Sequence, residues 1–210
     1  MVRSRKVVGL IWAVLVTVMV VVLIAFSRSQ SDPAPRLPVI SQITDFNLTN
    51  QFGLRVGKEE VSGFVLVVNV IFTRCPGQCH RLSQQMVELQ RRIPPGSPVR
   101  LVSLTADPAY DSPEVLKKYG ERYGADGARW LLLTGDKADL YRLAMDGMKF
   151  SVVENDPKRA TTLEDLFIHS ASFALVDRSG RLRAMVQAEE ANAIDEVVRL
   201  SRLLSEKNSQ

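Results

Sequence analysis

Apolar runs alternate with amphipathic segments along most of the chain, a pattern that predicts a sheet of buried strands covered by helices. The run Phe64–Phe72 is apolar almost throughout, as expected of a central strand that is covered on both faces. Val99–Thr105 and Trp130–Thr134 predict two more such strands. Because helical segments separate the three runs, the pattern predicts an α/β fold with strand–helix units in the central, mostly parallel part of a mixed sheet that is flanked by helices.

Helix-breaking and helix-capping residues indicate where the predicted helices begin and end. A helix that follows Cys79 ends near Ile93, because Pro94–Gly96 cannot continue it. Ser112, followed by a proline, predicts the cap of a second helix. We expect further helices from about Lys137 to Met145 and from about Glu189 to Leu204.

Two hairpins flank these strand–helix units. Residues 39–60 predict an N-terminal hairpin with its turn near Asn50–Gly53. Ser172–Asp177 and Arg181–Val186 predict a second hairpin around Arg178–Gly180. Between them, residues 148–166 show a turn at Asn155–Pro157 and no other assignable element.

An uncharged apolar segment, Val7–Phe26, precedes all of these elements and is long enough to cross a bilayer. Its length and the poor cleavage site at its end predict one retained transmembrane helix rather than a cleaved signal peptide. Arg3, Arg5 and Lys6 lie before it, so the positive-inside rule places the N-terminus in the cytoplasm. The remaining domain is then expected on the periplasmic or other extracytoplasmic side of the inner membrane.

The composition of the residues after this apolar segment predicts a spacer followed by one domain. Pro33, Pro35 and Pro38 predict a semi-extended linker over residues 27–38, followed by a domain over residues 39–210. Three of the 27 basic residues precede the apolar segment, which leaves 24 basic against 23 acidic residues. A nearly neutral domain has no electrostatic footprint for nucleic acid, so we expect no nucleic-acid partner.

The only two cysteines, Cys75 and Cys79, lie between the Phe64–Phe72 strand and the helix that follows it. A thiol pair at the first strand-to-helix junction of such a sheet is the thioredoxin-like arrangement. If both cysteines lie in the first helical turn, they face the same side, and the helix N-terminus lowers their thiol pKa. A disulfide that closes so small a loop stabilises little, so the pair is better explained by redox or metal chemistry than by cross-linking.

A metal would need another ligand besides the two thiolates, and the sequence contains only His80 and His169. His169 lies immediately before the Ser172–Asp177 strand, which in a thioredoxin-like layout follows a loop beside the cysteine helix. Two thiolates and one imidazole favour copper, as Cu(I) or Cu(II), whereas zinc usually takes a fourth strong ligand. From the residues alone, His169 is either such a ligand or a structural histidine.

Other candidate ligands have simpler explanations. His80 follows Cys79 and is expected to point towards solvent, where transient metal capture is its one alternative role. Met86 lies on the apolar face of its helix, and Met145 and Met148 are better explained by a helix end that packs into the core. Asp107 ends a central strand at the sheet edge where sites gather, and a simple turn explains it equally well.

The residues resemble those of the Sco/SenC family, membrane-anchored copper-binding proteins that assist assembly of the CuA centre of cytochrome c oxidase. The resemblance covers roughly residues 40–205 and is carried by the segments Asp45–Thr49, Asn69–Pro76 with Cys79, Leu101–Pro108, Ser112–Leu116, Trp130–Gly135, and His169–Ser170 through Leu175–Asp177. It implies a thioredoxin-like fold with an inserted hairpin, and copper ligands at Cys75, Cys79 and His169. His80 departs from the family pattern, because members usually have proline after the second cysteine.

The resemblance implies copper delivery to cytochrome c oxidase subunit II. Two other functions remain open from the sequence. A thiol–disulfide oxidoreductase would reduce the acceptor's cysteines without a metal, although the spacing of Cys75 and Cys79 differs from that of general oxidoreductases. A copper-responsive sensor would use the same ligands for regulation.

Overall fold

The computed structural model describes residues 12, 14–22, 37–75, 77–154, 167–169 and 171–206. It separates the chain into two units, Met1–Arg36 and Leu37–Gln210. In the first unit, residues 14–22 form a helix (α1) with exposed side chains, and most of the remaining predicted membrane segment lies outside the described residues. Among the described residues, no helix has the length and hydropathy needed to cross a bilayer.

The second unit contains ten strands and five α-helices among its described residues. The strands are β1 (Ser41–Gln42), β2 (Asn47–Asn50), β3 (Arg55–Gly57), β4 (Val65–Ile71), β5 (Val99–Thr105), β6 (Trp130–Gly135), β7 (Val152–Glu154), β8 (Phe167–His169), β9 (Ser172–Val176) and β10 (Arg181–Gln187). The helices are α2 (Lys58–Val61), α3 (Gln78–Arg92), α4 (Pro113–Arg122), α5 (Lys137–Tyr141), which continues into a π-helical turn at Arg142–Gly147, and α6 (Ala193–Glu206).

The three predicted central strands form the core of an eight-stranded sheet ordered β1-β10-β9-β4-β5-β6-β2-β3. Every residue of β4 is buried, as its continuous apolar run predicts. β4, β5 and β6 run parallel and the outer pairings are antiparallel, so the sheet is mixed with a parallel centre, as predicted. Both predicted hairpins are confirmed, as β2–β3 and β9–β10, and both extend this sheet.

The helix after β6 departs from its prediction as one regular helix. Its second half is π-helical, with the amide of Met148 donating to the carbonyl of Leu143 at 3.0 Å. The wider turn buries Gly147, whose carbonyl accepts a hydrogen bond from Ser41 Oγ at 2.6 Å. As a result Met148 packs into the core, whereas Met145 is exposed.

Two features were absent from the prediction. β7 and β8 form a separate antiparallel pair in which Val152 lies opposite His169. Helix α6 begins at Ala193 rather than near Glu189, because the amide of Ala193 donates to the carbonyl of Glu190 in a turn.

Candidate metal centre

Strand β4 carries the chain into the cysteine loop, and α3 begins directly after that loop. Gly77 caps α3, so Cys79 is the second helical residue, while Cys75 lies in the loop before it. The condition that both cysteines lie in the first helical turn is therefore met by Cys79 and not by Cys75. Pro76, between them, lies outside the described residues.

The two sulfur atoms lie in different environments. Both cysteines are present as thiols, with Cys79 fully buried and Cys75 partly exposed. Cys75 Sγ accepts a hydrogen bond from the amide of Cys79 at 3.5 Å, and Cys79 Sγ accepts one from the amide of Phe72 at 3.5 Å. A backbone amide of the first turn of α3 thus points at Cys75 Sγ, and the amide that follows β4 points at Cys79 Sγ, an arrangement that favours thiolates once a metal binds.

The pKa of the Cys79 thiol is raised above its ordinary value. The hydrogen bond with the Cys75 thiol raises it most, followed by burial and by the charge of Cys75, while the Phe72 amide opposes them. The predicted lowering of this pKa is therefore wrong for Cys79, because burial and the neighbouring sulfur outweigh the helix N-terminus. A soft metal that bound here would displace the thiol proton.

A buried carboxylate holds the cysteine loop in place through hydrogen bonds. Asp111, in the turn before α4, is fully buried and accepts hydrogen bonds from the amide of Thr73 at 3.2 Å and from its hydroxyl at 2.5 Å. Thr105 Oγ1 also donates to Asp111. Burial raises the pKa of Asp111, and the hydrogen bonds from the two threonines oppose that rise.

A second carboxylate holds the next residue of the loop. Arg74 Nη2 contacts Asp107 Oδ2 at 2.5 Å, and the guanidinium carbon lies 4.3 Å from the centre of the Tyr110 ring. Asp107 is buried, and its amide donates to Thr105 Oγ1 at 2.9 Å. Asp107 therefore anchors Arg74, the residue that precedes Cys75. The sequence left open a place in the site or a simple turn, and the structure gives Asp107 a supporting role beside the site.

Sequence reasoning missed Thr73, Arg74 and Asp111 as supports of the site. The only signal for them was position: two lie beside Cys75, and one precedes the cap of α4. No local pattern pairs residues that are 38 positions apart, as Thr73 and Asp111 are.

The chain that follows His169 leads into β9 at the edge of the eight-stranded sheet where the cysteine loop leaves β4. β9 is antiparallel to β4, with Val68 opposite Ala174, so the segment before β9 lies towards the end of β4 that leads to Cys75. Ala171 lines a cavity of about 230 Å³ together with Gln78 and other residues of α3. The topology thus brings the chain around residue 169 to the side of the cysteine helix, as the layout predicts, while the His169 side chain lies outside the described residues.

The other candidate ligands do not join the two thiols. His80 is exposed, with Nδ1 2.6 Å from Tyr123 Oη and Nε2 3.0 Å from Gln84 Nε2. Met86 is fully buried in the core, as predicted. Among the side chains that the structure describes, no three of His, Cys, Asp or Glu come together as a metal cluster. Two sulfur donors fit a soft ion such as copper, whereas zinc usually requires four strong ligands.

Comparison with known proteins finds one family model and several proteins that are similar to this chain. The SCO1/SenC family model matches residues 38–205. A SCO1 protein homolog of Bacillus subtilis (strain 168) is 28% identical over 163 residues, which cover 77% of this chain and 81% of the relative. A SCO1/SenC family lipoprotein of Bacillus anthracis str. Ames superposes with a TM-score of 0.70 at 27% identity, over 82% of this chain and 100% of that one.

Two further solved structures bear on chemistry. BsSco, described as having a disulfide switch and as a member of the Sco family of cytochrome c oxidase assembly proteins, has a TM-score of 0.68 at 26% identity, over 80% of this chain and 96% of its own. ScoI of Bradyrhizobium japonicum, solved with copper bound, shares the fold with a TM-score of 0.65 at 19% identity, over 78% of this chain and 99% of its own. Sco homologues thus bind copper and have the same thioredoxin-like fold. The match over residues 38–205, together with the sheet order and the paired thiols, shows that this chain belongs to the SCO1/SenC family.

Proposed function

We propose that this protein is a membrane-anchored copper-binding protein that delivers copper for assembly of the CuA centre of cytochrome c oxidase. The observation that carries the proposal is the pair of thiols at the start of α3, with backbone amides directed at both sulfurs. Membership of the SCO1/SenC family and the copper-bound homologues support copper as the cargo.

The proposed copper ligands are Cys75, Cys79 and His169. The thiols supply two soft donors, and the topology brings the segment of residue 169 to the same sheet edge. Each thiol loses its proton when its sulfur binds the metal, so one Cu(I) bound by two thiolates and a neutral imidazole gives a site with a single negative charge. Burial of Cys79 excludes water from one side of this site, whereas Cys75 stays accessible to an incoming ligand.

Delivery would proceed by ligand exchange with the acceptor, proposed to be cytochrome c oxidase subunit II. The partly exposed sulfur of Cys75 is the position at which an acceptor thiolate would first reach the metal. As each acceptor sulfur binds copper, a sulfur of this protein leaves and regains a proton. Copper keeps its oxidation state throughout.

The proposed location follows from the N-terminal segment. Residues 7–26 would anchor the protein in the inner membrane as a single span, with Arg3, Arg5 and Lys6 on the cytoplasmic side. The copper-binding domain would then face the periplasmic or extracytoplasmic side, where subunit II would present its copper site.

Copper titration tests the ligand set. The reduced full-length protein would be titrated anaerobically with Cu(I) against a colorimetric chelator, alongside Cys75→Ser, Cys79→Ser and His169→Ala. We expect one copper per chain for the parent, and at least about a tenfold loss of affinity for each variant. His80→Ala is the matched histidine control and is expected to bind like the parent. Unchanged affinity in all three ligand variants would contradict the proposed site.

A second candidate, a thiol–disulfide oxidoreductase, is favoured by one observation. The amide of Cys79 donates to Cys75 Sγ at 3.5 Å, so either thiol is near enough to displace the other from a mixed disulfide. The external disulfide is then reduced to two thiols, and a Cys75–Cys79 disulfide forms. Oxidase assembly separates the two functions in cells that carry His169→Ala with both cysteines intact. Loss of the copper centre would favour copper delivery, whereas normal assembly would favour dithiol reduction.

A further inference from the structure

A cleft with basic side chains lies beside the cysteine loop and is separate from the proposed copper ligands. It has a volume of about 560 Å³, and Thr73 and Arg74 of the loop form one side of it. Tyr110 contributes an exposed ring, and helix α4 contributes Lys118 and Arg122. The cleft therefore opens next to the two residues that precede Cys75.

The charged residues of helix α4 that line the cleft are both basic. They are Lys118 and Arg122, four residues apart on the helix. Glu114 lies four residues before Lys118 and Glu121 three residues after it, so both carboxylates flank that lysine, but neither lines the cleft. Lys117 lies on the neighbouring face and does not line the cleft either. The wall of the cleft is thus cationic, with two carboxylates at its margin.

The two cations of α4 keep their charge available. Arg74 is already paired with Asp107 and stacks on Tyr110, so it contributes little net charge to the cleft. Lys118 and Arg122 are exposed, and no described side chain forms an ion pair with either of them. Two unneutralised cations on the wall of a cleft raise the local concentration of an approaching anionic surface.

We infer that this cleft docks an acidic segment of a partner protein. A cleft with two cations one helical turn apart and an exposed aromatic ring matches a peptide that carries spaced carboxylates. The inference rests on the proposed function, since a segment held here would place the partner's metal-binding residues beside Cys75. Docking itself requires neither copper nor reduced thiols.

Peptide binding to the metal-free full-length protein tests the docking surface alone. Two fluorescent peptides of equal length, which differ only in carrying spaced glutamates or spaced lysines, would be compared by anisotropy. We expect the glutamate peptide to bind at least about tenfold more tightly at low salt. The preference should decline as the salt concentration rises beyond about 0.15 M, because the cations are solvent-exposed.

Adjacent lysines on α4 provide a matched pair of variants. Lys118→Glu changes the cleft, whereas Lys117→Glu makes the same charge change on the neighbouring face. Because both lysines are exposed, both variants are expected to fold like the parent. We expect Lys118→Glu to abolish the preference for the glutamate peptide and Lys117→Glu to retain most of it.

Three outcomes would overturn the inference. These are equal binding of the two peptides, equal effects of the two variants, and displacement of the glutamate peptide by inorganic phosphate but not by sodium chloride of the same ionic strength. The last outcome would identify the cleft as a small-anion site. Since the assay contains no copper, a failure of copper binding leaves its result unaffected, and normal copper binding with equal peptide affinities would refute only the docking surface.

Discussion

Asp111 and Thr73 join the turn before α4 to the cysteine loop through two hydrogen bonds to one buried carboxylate. The amide of Thr73 lies 3.2 Å from Asp111 Oδ2, and its hydroxyl lies 2.5 Å from Oδ1. Because Thr73 lies two residues before Cys75, this link sets where the loop leaves the sheet. A carboxylate is suited to the position, since it accepts hydrogen bonds without donating any.

Asp111→Asn is expected to weaken both the fold and the metal site. The side-chain NH2 group of the asparagine would replace one carboxylate oxygen and point at a hydrogen-bond donor. A buried polar group would then have no acceptor, which lowers the free energy of unfolding by about 1–3 kcal/mol. A displaced loop would also weaken Cu(I) affinity by about tenfold, as loss of a group that orients a metal ligand commonly does. Urea unfolding and chelator competition measure the two effects.

Asp177→Asn separates the two effects of Asp111→Asn. Asp177 is also a buried carboxylate, but it follows β9 at the sheet edge opposite the cysteine loop. Its substitution should lower stability while leaving Cu(I) affinity within about twofold of the parent. Equal losses of affinity in the two variants would show that the effect reflects overall stability and not the position of Cys75.

The two thiols are expected to differ in reactivity towards an alkylating agent. Cys79 is fully buried, and its raised pKa keeps it protonated, whereas Cys75 is partly exposed. Iodoacetamide should therefore modify Cys75 at least about tenfold faster than Cys79 in the native protein. Peptide mass spectrometry at timed intervals measures both rates.

Unfolded protein and copper-loaded protein are the controls for alkylation. In urea the two cysteines should react at similar rates, because burial no longer separates them. Addition of stoichiometric Cu(I) to the native protein should protect both. Faster modification of Cys79 in the native state would be incompatible with the burial described here.

The centre of the fold was predictable because burial on both faces leaves a direct mark on the sequence. β4 has no polar alternation, so its apolar run alone indicates a central strand. Gly180, with φ +78°, adopts the left-handed turn that fixes the β9–β10 hairpin, and the Ser-Gly dipeptide signals such a turn.

Features that depend on distant contacts were not predictable. The π-helical turn depends on packing against the segment of β1, where Ser41 donates to the carbonyl of Gly147, 106 residues away. At the metal centre, the spacing of the cysteines identified the sulfur donors. The raised pKa of Cys79 arises from burial and from the second sulfur, which only the folded chain brings together.

His80→Ala is expected to leave copper stoichiometry unchanged, although His80 directly follows a proposed ligand. Both ring nitrogens already have polar neighbours, Tyr123 Oη at 2.6 Å and Gln84 Nε2 at 3.0 Å. The side chain therefore belongs to a surface network on α3 and α4. We expect Cu(I) affinity to change by less than about threefold, against a loss of about tenfold or more for His169→Ala.

Copper-edge X-ray absorption of the two histidine variants provides a second measure. Removal of His169 should reduce the nitrogen contribution to the copper shell, and removal of His80 should not. The reverse result would exchange the roles of the two histidines.

The hairpin carboxylate Asp177 is expected to give the fold a defined acid sensitivity. Burial alone would raise its pKa, but hydrogen bonds from the Arg183 and Arg181 side chains and from backbone amides hold it below the ordinary value of 3.8. The folded protein therefore binds this proton less tightly than the unfolded chain does. The resulting stability is complete above that ordinary value and is lost as the pH falls through the lower pKa of the folded state.

Comparison of the parent with Asp177→Asn over a pH series isolates this contribution. At neutral pH the substitution leaves the mostly buried guanidinium of Arg183 without its carboxylate, so the free energy of unfolding should fall by about 3 kcal/mol. As the pH falls through the folded-state pKa, which lies below 3.8, the parent carboxylate is itself protonated, and the free energies of unfolding of the two proteins should converge. A gap of constant size across the series would mean that the contribution of Asp177 comes from its shape and neutral hydrogen bonds, and that its charge has no part in it.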